Sequence, residues 1–171
     1  MLMFQTGVRV GGRSDERISG SPCSLPCPAH LHHHFDGDSV TLDAVDEVIR
    51  RYAEMVEAGR DREEGWPESV NVASKIGQVA ASWVFAREMR AEATAADMMV
   101  CAVCPGLVDT EASRPWFDSA SLARAKSPDD AALDVRWLAT LPAGTRTPYG
   151  ELVQYRDVLP WEAGEWRSKF G

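Results

Sequence analysis

From Thr41 onward the chain sets apolar residues at a helical period. Leu42, Val45, Ile49, Tyr52 and Val56 recur three or four positions apart, the spacing that aligns side chains along one helix face. Thr41 offers a hydroxyl cap at the start and Gly59 a left-handed close at the end, so an amphipathic helix is predicted between them. A second helix is predicted from near Ser69 to about Ala95, with Ile76, Val79, Trp83 and Val84 on its apolar side. Met98 to Cys104 is then an unbroken apolar run, too short for a helix and ended by Pro105-Gly106, as expected of a strand buried on both faces.

Further along, Ser127-Pro128-Asp129-Asp130 forms a helix start: a capping hydroxyl, proline at the first position and two carboxylates at the positive end of the dipole. That helix is predicted to end near Leu141-Pro142, and Tyr149 to Gln154 reads as a short last strand. Trp161, Trp166 and Phe170 are placed in a tail that packs back on the sheet. Helix followed by buried strand implies an α/β layer with a parallel sheet. The first 38 residues break this order, because Gly, Ser, Pro, Cys and His dominate and no period persists. The expected organisation is an irregular, poorly ordered segment over 1–38 and one α/β unit over 39–171.

Composition narrows the function classes. The chain has 171 residues, 44% hydrophobic, which is enough for one core. A formal charge of −8 repels phosphate backbones and anionic lipid, so neither nucleic acid nor a membrane is an expected partner. No apolar run approaches the roughly 20 residues of a membrane helix, and no export signal is legible at the start. The sparse cysteines, Cys23, Cys27, Cys101 and Cys104, point to a reducing compartment and hence the cytoplasm.

Two groups could bear metal or redox chemistry. Cys23, Cys27, His30, His32, His33 and His34 crowd a short stretch, but Cys-x3-Cys-x2-His fits no compact zinc module and three adjacent histidines cannot face one ion, so no metal is expected. Cys101 and Cys104 form a CxxC. In a strand their α-carbons would lie roughly 10 Å apart, beyond disulfide reach.

The segment Gly65-Trp66-Pro67-Glu68-Ser69-Val70-Asn71-Val72-Ala73-Ser74-Lys75-Ile76-Gly77 resembles the active-site helix of carbonyl reductases in the short-chain dehydrogenase/reductase family. There a tyrosine and a lysine stand four residues apart, one helical turn, and project from one face. The resemblance implies that Lys75 holds the nicotinamide ribose and lowers the pKa of the catalytic acid. The acid's own position is Asn71, whose amide donates a hydrogen bond but has no proton to surrender near neutral pH.

Cys104-Pro105-Gly106-Leu107-Val108-Asp109-Thr110 is similar to the family's Pro-Gly turn. The resemblance implies cofactor contacts at Pro105, Gly106, Val108 and Thr110, with backbone groups of Val108 on the nicotinamide carboxamide. A turn at the carboxyl end of a parallel strand is where α/β folds bind ligands. The likeness runs from about Leu31 to Trp161. It includes Ser127-Pro128-Asp129-Asp130-Ala131-Ala132 and Pro148-Tyr149-Gly150-Glu151-Leu152-Val153.

The family's diphosphate-binding TGxxxGxG is matched by Thr6-Gly7-Val8-Arg9-Val10-Gly11-Gly12-Arg13 only in its first part, with arginine at the last glycine and no helical pattern behind it, so the match is read as coincidence and the diphosphate site as absent. By position along the chain Ser14 is the counterpart of the family's catalytic serine, with Ser19 as the alternative. The expected fold is therefore a partial Rossmann-type parallel sheet of two or three strands with helices, the N-terminal half of the usual fold missing. The implied function is that of a truncated relative of NADP-dependent carbonyl reductases, oxidoreductases that move hydride from NADPH to a ketone or aldehyde, inactive as this chain. Two alternatives stay open. One is a non-catalytic module that binds a partner, or itself, through an exposed sheet edge; the other is a full oxidoreductase whose start was misassigned.

Overall fold

A computed structural model of the chain describes residues 31, 34–35, 38–63, 65–66 and 70–159. The elements run α1 (Leu42–Glu57), α2 (Val70–Glu88), α3 (Arg90–Ala95), β1 (Ala102–Cys104), a 3-10 turn (Arg114–Trp116), α4 (Ser119–Leu122), α5 (Pro128–Ala139), β2 (Leu152–Gln154) and β3 (Asp157–Leu159). No described helix is long and apolar enough to cross a membrane.

Local chemistry sets both ends of α1. The Thr41 hydroxyl accepts the Ala44 N–H at 3.1 Å. At the other end Gly59 takes φ +69°, and the N–H groups of Arg60 and Gly59 return to the carbonyls of Met55 and Val56, the paired bonds of a Schellman close. Ser127 caps α5 as its sequence predicts, accepting the Asp130 N–H at 3.1 Å with Pro128 at the first helical position. That helix stops at Ala139, two residues before Leu141.

The predicted long second helix is two helices. It breaks at half-buried Met89, although Met and Arg are good helix formers, because tertiary contacts redirect the chain. The new direction buries Ala93 completely and sets the Arg90 guanidinium over the Tyr149 ring at 4.8 Å.

Helix α2 is buried on two sides. One side meets α1 in a core that includes Val45, Tyr52, Met55, Ala73, Ile76 and Ala80. Each large apolar side chain buried there contributes about 1.5–3 kcal/mol. Gly77 makes this crossing close: a Cβ at that position would stand 2.7 Å from Ile49 Cγ1. Aromatic contacts seal the same core, with Trp66 at 4.7 Å from Tyr52 and 6.0 Å, edge-on, from Phe35. The packed unit thus reaches back past Val40 to Phe35 and Leu31, both buried. Apart from His34 and Asp38, the remainder of 1–38, including Ser14, Ser19 and the Thr6–Arg13 stretch, lies outside the described residues, as do Trp161, Trp166 and Phe170.

The other side of α2 presents Val79 to the sheet, where it clusters with Ala102, Cys104, Leu152 and Leu159. Strand order is β1-β2-β3. The first pair is parallel, with Ala102 beside Leu152, but the second is an antiparallel hairpin with Leu152 beside Leu159. The sheet is therefore mixed rather than wholly parallel. The β1 ladder covers less than the apolar run promised, since Met98 is exposed and pairing begins only where β2 lies alongside. Cys101 and Cys104 are not joined to each other: Cys101 is a free, buried thiol and Cys104 is disulfide-bonded elsewhere.

Candidate functional site

Contacts in the middle and near the C-terminal end of α2 give its direction relative to the sheet. Near its C-terminal end the Ala86 carbonyl accepts the Tyr149 hydroxyl at 2.8 Å, and Ala86 lies under Gly150. Gly150 in turn donates to the Val100 carbonyl at 2.7 Å, just before β1 begins. The late part of α2 therefore sits at the start of β1, and Val79 sits over its middle. The helix runs antiparallel to the strand, which carries Lys75 about 6 Å further along, towards the carboxyl end of β1. That end is the Pro105-Gly106 turn. The carboxyl end of a parallel strand is where α/β sheets bind ligands.

On the helix, Asn71 and Lys75 lie one turn apart. Asn71 is exposed, and its carbonyl accepts the Ser74 hydroxyl at 2.8 Å. Lys75 is half-buried, its Nζ donates to Gln78 Oε1 at 3.1 Å, and burial pushes its ammonium below the usual lysine range. Lys75 thus carries a cation that the site only partly solvates.

The turn after β1 is built mostly from its own backbone. Gly106 takes φ +82°, and the Tyr155 hydroxyl lies where its side chain would begin. Beyond it Val108 pairs with Lys126 in a single parallel bridge: the Lys126 N–H donates to the Leu107 carbonyl and the Asp109 N–H to the Lys126 carbonyl, both at 2.9 Å. In a parallel pairing the alternate residue turns its own polar groups the other way, so the N–H and C=O of Val108 face away from Lys126. Ser113 closes this open side. Its hydroxyl donates to the Val108 carbonyl at 2.6 Å and accepts the Thr110 N–H at 2.9 Å. Outside, Asp109 and Arg114 form a two-pronged pair, Nε to Oδ1 at 2.7 Å and Nη2 to Oδ2 at 3.3 Å, which holds the Asp109 carboxyl below its ordinary range.

A charged cluster pins the β2–β3 turn beside the site. Asp134, buried on α5, accepts Lys126 Nζ at 2.5 Å and Arg156 Nε at 3.1 Å. Burial by itself would raise its pKa. The two hydrogen bonds and the two positive charges outweigh that and hold it low. Lys126 also stands 4.1 Å from the Tyr155 ring centroid. Tyr155 and Arg156 occupy the turn at φ +51° and +71°, a conformation uncommon for residues with side chains.

Of the positions singled out by sequence, Lys75 and Asn71 stand on the first turns of α2 and Pro105, Gly106, Val108 and Thr110 on the segment that follows β1, while Ser14 lies outside the described residues. Sequence reading missed Ser113, Lys126, Tyr155 and Asp134. Ser113 alone gave a usable signal, a hydroxyl three residues after Thr110, a spacing that favours side-chain to backbone bonds. Of the Cys/His group only His34 is described, its ring edge-on to Phe35. Among the described residues no three His, Cys, Asp or Glu side chains are placed to hold a metal.

The turn's donor and acceptor set, a C=O at Val108 and an N–H at Thr110, fits a flat carboxamide, which accepts through oxygen and donates through nitrogen. The chain is similar to known proteins over most of its length. Over 135 residues, 79% of this chain, it is 30% identical to carbonyl reductase (NADPH) 1 of Rattus norvegicus and 30% identical to that of Mus musculus. With the Oryctolagus cuniculus protein of the same name it shares 27% over 157 residues. The chain spans about half the length of these relatives: 46% of the rat protein and 54% of the rabbit protein. No family model matches.

Proposed function

We propose that this chain, a carbonyl-reductase-like member of the short-chain dehydrogenase/reductase family, serves an oxidoreductase reaction in which NADPH reduces a ketone or aldehyde. The observation that supports this reading is the course of α2 over the sheet, with Val79 packed among Ala102, Cys104 and Leu152 and the Ala86 carbonyl bonded to Tyr149. Bound there, the cofactor supplies hydride. The Val108 carbonyl and Thr110 N–H would hold its carboxamide, and the Lys75 ammonium would donate to its ribose hydroxyls. Asn71 offers its amide N–H to the carbonyl oxygen and so polarises it. It releases no proton, so an alkoxide formed there draws its proton from water. On this account the chain with Asn71 turns over slowly or not at all.

Titration of ¹⁵N-labelled chain with NADPH tests the reading. Val108 and Thr110 amide resonances should move in a saturable way, with a dissociation constant weaker than the micromolar range, because the diphosphate fingerprint is matched only in part at Thr6–Arg13. Unmoved Val108 and Thr110 resonances at saturating cofactor would remove the assignment.

A second reading rests on β1, which stands at one edge of the described sheet with β2 on its other side. A strand from a second copy of the chain could add to that edge. Light scattering behind gel filtration would then give a dimer mass, and proline at Val103 would return it to a monomer.

A further inference from the structure

We infer that the Ser113 hydroxyl is a built-in stand-in for a carboxamide, and that a nicotinamide ring enters the turn by displacing it. The inference rests on the reading of this turn as the nicotinamide subsite and adds what fills that subsite when no ligand does. A primary carboxamide at the turn would donate to the Val108 carbonyl and accept from the Thr110 N–H. Ser113 Oγ makes both bonds with one atom, at 2.6 Å and 2.9 Å.

Among the described residues nothing else takes this geometry from the far side. Lys126 takes Leu107 O and Asp109 N and so leaves the polar groups of Val108 facing Ser113. Thr110 Oγ1 lies 3.2 Å from the same hydroxyl and accepts the Ser113 N–H at 3.2 Å, so the four-residue turn closes on itself around Ser113. Its outer frame is independent of the hydroxyl. The Lys126 backbone bonds and the Asp109–Arg114 pair hold the turn whether or not Ser113 carries oxygen. A ligand must therefore exchange two existing hydrogen bonds for two new ones, which costs affinity without altering the shape of the site.

The test is titration with nicotinamide, followed through the Thr110 amide resonance, in the full chain and in Ser113→Ala and Ser113→Thr. Removing the hydroxyl should tighten nicotinamide binding about ten-fold, while threonine, which keeps a hydroxyl, should leave it unchanged. Nicotinic acid, which lacks the amide donor, should gain nothing from Ser113→Ala. Equal or weaker nicotinamide binding by a folded Ser113→Ala variant would overturn the inference and leave the subsite reading intact. Absence of saturable shifts in the full chain and in both variants would overturn the subsite reading itself, and the inference with it. Should Ser113→Ala unfold, the unaltered chain decides: saturating nicotinamide should change the Ser113 side-chain couplings as its hydroxyl leaves Val108, and an unchanged rotamer with nicotinamide bound refutes the displacement.

Discussion

The Tyr155 hydroxyl occupies the space that a side chain at Gly106 would need: a Cβ built there would stand 2.3 Å from it. Glycine at 106 is thus required twice, once by φ +82° and once by the ring across from it. Gly106→Ala should cost about 2–3 kcal/mol, the sum of left-handed strain and overpacking. In a Tyr155→Ala background the overpacking part should vanish and only about 1 kcal/mol should remain. Urea unfolding of the four proteins measures the coupling, and additive costs would show that ring and turn do not meet.

Asp134 should make the hairpin acid-sensitive. Its carboxyl titrates below its ordinary value, so the stability it contributes is complete above the unfolded pKa of about 3.9 and is lost as pH falls through the lower folded one. Asp134→Asn should therefore cost about 1–3 kcal/mol at pH 7, because Lys126 and Arg156 lose a shared buried partner while staying partly solvated. The gap between the two proteins should narrow below about pH 4. Denaturant midpoints from pH 2 to 7 would show it, and a gap constant over that range would mean that the ion pairs contribute nothing.

Gly77→Ala sets helix propensity against packing. Alanine gains about 1 kcal/mol in a helix interior, but its methyl would meet Ile49 Cγ1 at 2.7 Å and Cδ1 at 2.8 Å. Overpacking of this kind costs about 1–3 kcal/mol, so the substitution should destabilise by up to about 2 kcal/mol. Combined with Ile49→Ala, Gly77→Ala should become favourable relative to Ile49→Ala alone. Thermal unfolding reads both signs.

Asn71→Tyr probes the reaction directly. With the chain joined to a cofactor-binding half from a homologous reductase, tyrosine should raise NADPH oxidation with a reactive diketone by about 10²- to 10⁴-fold over asparagine, the usual range for a positioned general acid. Lys75, one turn away and already depressed by burial, should give the faster variant a pH dependence that Lys75→Met removes. Equal rates for asparagine and tyrosine would show that position 71 does not face the reacting carbonyl.

What the sequence determined was local. Thr41, Gly59 and Ser127-Pro128 set helix ends because caps act on backbone groups within a few residues, and these ends stand where the pattern predicts them. Lys75 with Asn71, and Pro105 through Thr110, were legible because each group is continuous in sequence. The course of α2 over the sheet was not legible, since it depends on packing through Val79, Ala86 and Tyr149. The break at Met89 and the hairpin after Gln154 were hidden for a related reason. Met, Arg and Tyr show no local preference for those conformations. The chain adopts them because burial of Ala93 and the charges around Asp134 outweigh propensity. Ser113 lies between these cases: its spacing from Thr110 is written in the sequence, but its occupation of the Val108 carbonyl exists only because Lys126, from 18 residues further on, turns that carbonyl towards it.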